Sequence, residues 1–208
     1  FRRATRPTRR HARSRNGCYW GVFMEHAIRG APGLPDGDLL WPCLSVKAPY
    51  QTACFHLHHL VQAIVFERMG ITEREQQSDM RVDACARITG PSLRLACIEH
   101  VGYASTYVPG FRVTEDDCSR FGDAQDRSAC LFGLTRALAS YDRFAEAHQL
   151  CTMQSDAQHK RACYEGLFDR LYATNDLDDR ACDGSTGPDC RMHLDNFLKN
   201  PDDLLTVL

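Results

Sequence analysis

The chain has 208 residues and a hydrophobic fraction of 43%, enough to bury a core and too much for a disordered chain. No apolar run approaches the roughly 18 residues that a membrane-spanning helix needs; the longest candidate, Leu57 to Phe66, is broken by His58, His59 and Gln62. The net charge of −2 hides an asymmetry, because seven of the 25 basic residues fall in residues 1–17, which hold no acid, leaving 18 against 27 acidic residues in the rest.

Residues 1–17, FRRATRPTRRHARSRNG, have almost no apolar residue after Phe1 and cannot help build a core. Their arginines, Arg2, Arg3, Arg9 and Arg10 among them, make a basic arm suited to an anionic partner such as nucleic acid, lipid head groups or an acidic protein face. The alternative is a flexible tail, or an extension draped over a neighbouring subunit.

Eleven cysteines is dense usage, and none of them forms a C-x2-C pair. That excludes zinc ribbons, ferredoxin-type clusters, thioredoxin-like redox sites and C-x-x-C-H haem attachment. Regular spacing points instead to disulfides, and with them to an oxidising, extracytoplasmic compartment, periplasmic or secreted. The chain starts at Phe1 without a visible signal peptide. Export is therefore expected from the cysteines alone, with the signal removed by processing or the chain a fragment.

The spacing is a repeat. Cys118–Cys130 and Cys151–Cys163 are both C-x11-C; each encloses Asp-Ala-Gln (Asp123 to Gln125, Asp156 to Gln158), and equivalent cysteines are 33 residues apart. A fixed period of that size is the signature of stacked supersecondary units. In chain order, Cys18 opens CYWGVF, matching CLFGLT at Cys130 and CYEGLF at Cys163, so Gly21, Gly133 and Gly166 are equivalent. A glycine costs about 1 kcal/mol within a helix, and its recurrence predicts close approach of a neighbouring helix. Cys18 has no first cysteine before it: it is free, paired with another chain, or paired with a residue upstream. Residues 30–42 read as a Pro/Gly-rich loop, Cys43–Cys54 as the next pair, Cys85–Cys97 as another C-x11-C pair, and Cys182–Cys190 as a shortened terminal one. Second cysteines are separated by 36, 43, 33, 33 and 27 residues.

Each unit reads as a helical hairpin. In the clearest, a helix from Phe144 to Met153 presents Phe144, Ala147 and Cys151. A turn follows, Ser155 to Gln158 fits a capping box, and a second helix presents Cys163, Leu167 and Leu171. A cysteine near the end of the first helix can meet one two turns into the second, which predicts bridges 43–54, 85–97, 118–130, 151–163 and 182–190. Each closes a small loop worth roughly 3 kcal/mol. The expected organisation is a basic arm (1–17), an all-α array of about five disulfide-linked hairpins (18–198) and a tail (199–208). This pattern resembles the tetratricopeptide-type α-solenoids, in particular cysteine-rich bacterial versions with one disulfide stapling each hairpin.

Histidines are the residues that rise above scaffold. His58 falls four after Cys54 and His26 eight after Cys18, where other units carry aliphatic residues. If the units stack, the two approach each other and could hold a metal or a haem edge; the alternative is a pair of hydrogen-bonded core histidines. His56 and His59, at i and i+3, are expected to point outward as a surface pair. His100 takes the glycine position of its helix. Catalytic templates such as GxSxG, HExxH and phosphate loops are absent, and no catalytic residue and no cofactor is predicted.

Tyr19, Trp20, Phe23 and Trp41 cluster beside the incomplete first unit, and the open end of a repeat array must be covered. The expectation is a non-enzymatic scaffold or assembly subunit that meets a protein partner, or another copy of itself, at this N-terminal edge. The rival expectation is a metal- or haem-binding protein, in electron transfer, using the His26/His58 region. Peptide mapping without reduction is expected to return the five bridges named above with Cys18 left over; ten free thiols would remove both the staples and the compartment.

Overall fold

In the computed structural model, residues 22, 24–25, 29–30, 33–55, 58–107, 111–112, 117–174, 177, 179–182 and 188–199 are described. The protein is all-α, with eight α-helices and no strand among these residues. They are α1 (Ala48–Phe55), α2 (His58–Met69), α3 (Arg74–Ala86), α4 (Pro91–Ser105), α5 (Ala124–Ser140), α6 (Phe144–Met153), α7 (Ala157–Thr174) and α8 (Asp189–Lys199). Two 3-10 turns, Asp117–Arg120 and Asp179–Cys182, complete the set. The chain divides into two compact units, residues 1–73 and 74–208. The division falls inside the stretch 18–198 that the cysteine spacing reads as one array.

All five bridges are formed, with Cα–Cα distances of 5.4 to 5.8 Å, in the ordinary range for disulfides. Their partners explain the spacing. Cys54, Cys97, Cys130 and Cys163 are each the seventh residue of their helix, α1, α4, α5 and α7. The start of the helix is therefore fixed relative to the bridge. In α5 the start is set by Asp123, whose carboxylate accepts from the backbone N–H groups of Gln125 and Asp126. In α7 Asp156 accepts from His159 N–H at 2.9 Å. The repeated Asp-Ala-Gln is thus an N-cap that satisfies otherwise orphaned donors. The cap of α7 is Asp156, one residue after the Ser155 that the capping-box pattern selects. At α4 the same place is taken by Gly90, followed by proline at the first helical position.

The first arms are less regular than a row of helical hairpins. Cys85 and Cys151 lie on α3 and α6, and α6 spans the predicted Phe144–Met153. Cys118 and Cys182, however, lie on 3-10 turns, and Cys43 lies in a run of turns over residues 39–45. Near Cys43, Gly33 and Gly37 take positive φ (81° and 70°) and Pro35 and Pro42 lack N–H donors, so no helix forms there.

In the unit 74–208, α5 lies between α4 and α7. Arg94 of α4 pairs with Asp126 near the start of α5, and Tyr107, two residues past the end of α4, packs on Tyr141, the residue after α5, with ring centroids 5.5 Å apart. The two helices therefore run the same way. Their contact is backbone to backbone: a Cβ at Gly102 would overlap the carbonyl oxygen of Cys130, and one at Gly133 would overlap that of Glu99. The α5–α7 contact repeats this with a shift of 33 residues, Gly166 facing the carbonyl of Phe132. At the position equivalent to Gly102, Thr135 instead donates its hydroxyl to Cys163 O at 2.8 Å. Gly133 and Gly166 thus make the close approach expected of them. In α4 the part falls to Gly102, two residues beyond His100, and His100 is a buried side chain. Leu131, Leu134, Leu138 and Leu167 are completely buried along the same contacts.

Gly133→Ala is expected to lower stability by about 2 kcal/mol, because backbone on both sides cannot yield and overpacking outweighs the gain in helix propensity. Gly122→Ala, with nothing within 4 Å of the added carbon, is expected to stay within about 0.5 kcal/mol of the parent. Denaturant midpoints of the oxidised proteins check both.

Candidate functional site

Among the described residues of the unit 1–73, a polar cluster forms around the Cys43–Cys54 bridge. Asp38 starts it: its Oδ1 accepts from Leu40 N–H at 2.9 Å and from Trp41 N–H at 3.2 Å, closing a tight turn. Leu39 and Leu40 are buried by this turn. The Leu39 carbonyl accepts from two donors one helical turn apart on α2: His58 Nε2–H, in a short contact, and Gln62 Nε2 at 3.3 Å. A carbonyl can only accept, so Nε2 carries a proton and donates it. The ring's Nδ1 lies 3.6 Å from Cys43 Sγ. Cys43, Cys54 and His58 are 0%, 2% and 1% exposed, and their three potential ligand atoms lie within 4.8 Å of one another. Among the described residues this is the one group of three such atoms from histidine, cysteine and carboxylate side chains. Phe55 closes one side, edge-on to the His58 ring at 5.6 Å.

Of the residues selected from sequence, His58 is buried as expected, and its described partners include Leu39, Cys43 and Phe55. The count from Cys54 assumed one continuous helix, whereas α1 ends at Phe55 and α2 begins at His58. For the same reason His59 is buried, 7% exposed, rather than pointing outward. Trp41 is half-buried beside the Asp38 turn. Arg2, Arg3, Arg9, Arg10, Cys18, Tyr19, Trp20, Phe23, His26 and His56 lie outside the described residues. A small pocket of about 210 Å³ between Leu34, Pro35, Gly37, Val65, Arg68 and Met69 is below the size of ordinary ligand sites.

A second polar cluster lies in the unit 74–208. Arg136 of α5 donates to Glu99 of α4 at 2.8 Å and pairs with Asp169 of α7 at 3.4 Å. Burial pushes the Glu99 carboxyl above the usual carboxylate range, and the Arg136 charge opposes this. Burial works against the guanidinium in turn, but Glu99 and Asp169 hold Arg136 above its ordinary value. The sequence carried a signal that was missed: Tyr103, Arg136 and Asp169 occupy one position of the 33-residue repeat. Beside them Tyr107 meets Tyr103 at a tilt and Tyr141 edge-on, with centroids 5.9 and 5.5 Å apart. Tyr107 and Tyr141 stay 42% and 46% exposed. Burial of the Tyr107 phenol, together with its Tyr141 hydrogen bond, raises its pKa.

Compared with protein-family models, curated proteins and solved structures, the chain has no match. Among the described residues, no helix is long and apolar enough to cross a membrane.

Tyr164 of α7 packs between two histidines, His193 at 5.0 Å and His148 at 6.2 Å between centroids. Burial lowers the pKa of both rings; the Ala181 backbone opposes this at His148 and the Asp189 charge at His193. A depressed folded pKa contributes stability above the unfolded value of about 6.5, and this is lost as pH falls below it. Thermal unfolding between pH 7.5 and 5 is expected to show that loss, and His148→Gln, which keeps a neutral polar group, is expected to flatten the curve.

Proposed function

We propose that the chain is a non-enzymatic, extracytoplasmic helical-repeat scaffold or assembly subunit that works through protein–protein contacts. The observation that carries the reading is the stack α4–α5–α7, whose helices touch through their backbones and are stapled at fixed positions. A frame of this kind holds a surface without conformational cost on binding. Its buried charges are committed to one another, as in Glu99–Arg136–Asp169, while half-exposed tyrosines stand at the C-terminal ends of α4 and α5. Tyrosine is the side chain most used for such contacts, being large, rigid and polar at one end. Five disulfides support an oxidising compartment. The odd Cys18 with Tyr19, Trp20 and Phe23 supports a contact at the N-terminal edge, and the Arg-rich arm an anionic face on the partner.

For the protein alone, the occupant of that edge is a second copy. Light scattering is expected to give a species larger than the 23.5 kDa monomer. Removing residues 1–17 together with Cys18→Ser is expected to shift it to monomer. A dispersed monomer with a free Cys18 thiol under all conditions overturns the self-assembly reading.

A further inference from the structure

We propose that Cys43, Cys54 and His58 form a redox-gated site for a thiophilic d10 cation of the Zn2+ class, closed as the disulfide and open as two thiolates. This goes beyond the scaffold reading and does not depend on it. Three observations carry it. The first is the ring orientation. A metal-ligating histidine characteristically gives its other N–H to a backbone carbonyl or carboxylate, which fixes tautomer and direction. His58 does this at Leu39, and Nδ1 is thereby directed at the bridge.

The second is distance. Zinc–sulfur and zinc–nitrogen bonds of about 2.3 and 2.05 Å at a tetrahedral angle place sulfur and nitrogen about 3.6 Å apart. The Cys43 Sγ–His58 Nδ1 separation is 3.6 Å, so this edge of the site is already at the length a bound cation needs. The third is where the freedom lies. To bind, the sulfurs must move apart to roughly 3.8 Å, the thiolate–thiolate edge of the same tetrahedron. Cys54 is held on α1 and His58 on α2, so the movement falls to Cys43, which sits in turns rather than on a helix. Among the described residues, none of the other four bridges has a histidine or carboxylate placed as a third ligand.

The chemistry balances simply. An external dithiol supplies two electrons and two protons, or a phosphine supplies the electrons while one water gives both protons and the phosphine's oxygen, leaving two thiols. The reductant leaves as its disulfide or phosphine oxide. The cation then displaces both thiol protons to solvent, giving Cys2His ligation with one position left for water.

The test uses the full chain, reduced with a phosphine under argon and given one equivalent of Zn2+, with alkylation rates of each cysteine read by peptide mass spectrometry. Zn2+ is expected to slow alkylation of Cys43 and Cys54 by about 10-fold or more relative to the other eight bridge cysteines. His58→Ala is expected to lose most of that protection and His59→Ala to keep it. A second readout does not depend on how well the His58 variant folds: Co2+ added to the parent is expected to give the intense visible bands of tetrahedral thiolate ligation, lost in Cys43→Ser. Equal protection of all pairs, no protection, protection unchanged in His58→Ala, or an octahedral Co2+ spectrum overturns the proposal.

Discussion

Helix backbones in direct contact are the constraint on which residues 74–208 depend. Where Gly102 meets Cys130, Gly133 meets Glu99 and Gly166 meets Phe132, not even a methyl group fits. The separation of the helices is therefore set by main chain, which has no rotamers to adjust. Long apolar side chains flanking each contact, such as Leu131, Leu134 and Leu167, then fill spaces of fixed width. Such a contact tolerates no slip along the helix, and the sequence supplies the means to prevent one. In α5 the cap, the bridge and the glycine stand at Asp123, Cys130 and Gly133; in α7 they stand at Asp156, Cys163 and Gly166. The cap fixes where the helix begins, the bridge anchors its second turn to the preceding arm, and the glycine lands at the crossing.

Much of this was legible because those devices are local and repeat. The spacing of paired cysteines gave the bridges, three of them C-x11-C, and the duplicated Asp-Ala-Gln and Gly gave α5 and α7. Reading faltered where a device was replaced by another with the same job. Gly90-Pro91 starts α4 without a side-chain cap, and Gly102 takes over from the position that His100 holds. Thr135 joins two backbones through its hydroxyl where a glycine stands in the neighbouring contact, a substitution that no pattern of apolar residues signals. The 3-10 turns at Cys118 and Cys182 carry the same bridges as full helices do, so cysteine spacing alone could not distinguish them.

The polar cluster of the N-terminal unit was half legible for a different reason. That a histidine occupied an apolar position at 58 was visible, but its orientation depends on a main-chain carbonyl, Leu39, that only the Asp38 turn brings within reach. Helical counting also pointed His59 outward, because it ran through a boundary between α1 and α2. Backbone acceptors leave no residue-type signature, so a site built on one is found only in three dimensions.

Because the α5–α7 contact is the α4–α5 contact moved along by 33 residues, α5 offers one face that receives a neighbour and one that supplies it. A helix with both faces is an interchangeable part. Duplicating the segment from one second cysteine to the next would lengthen the row without requiring a new interface, since the added helix would meet only surfaces already present. What the Cys118 and Cys151 units share, C-x4-D-A-Q-x3-A-C-x2-G-L, is the cap, bridge and crossing that such a lengthening would have to repeat.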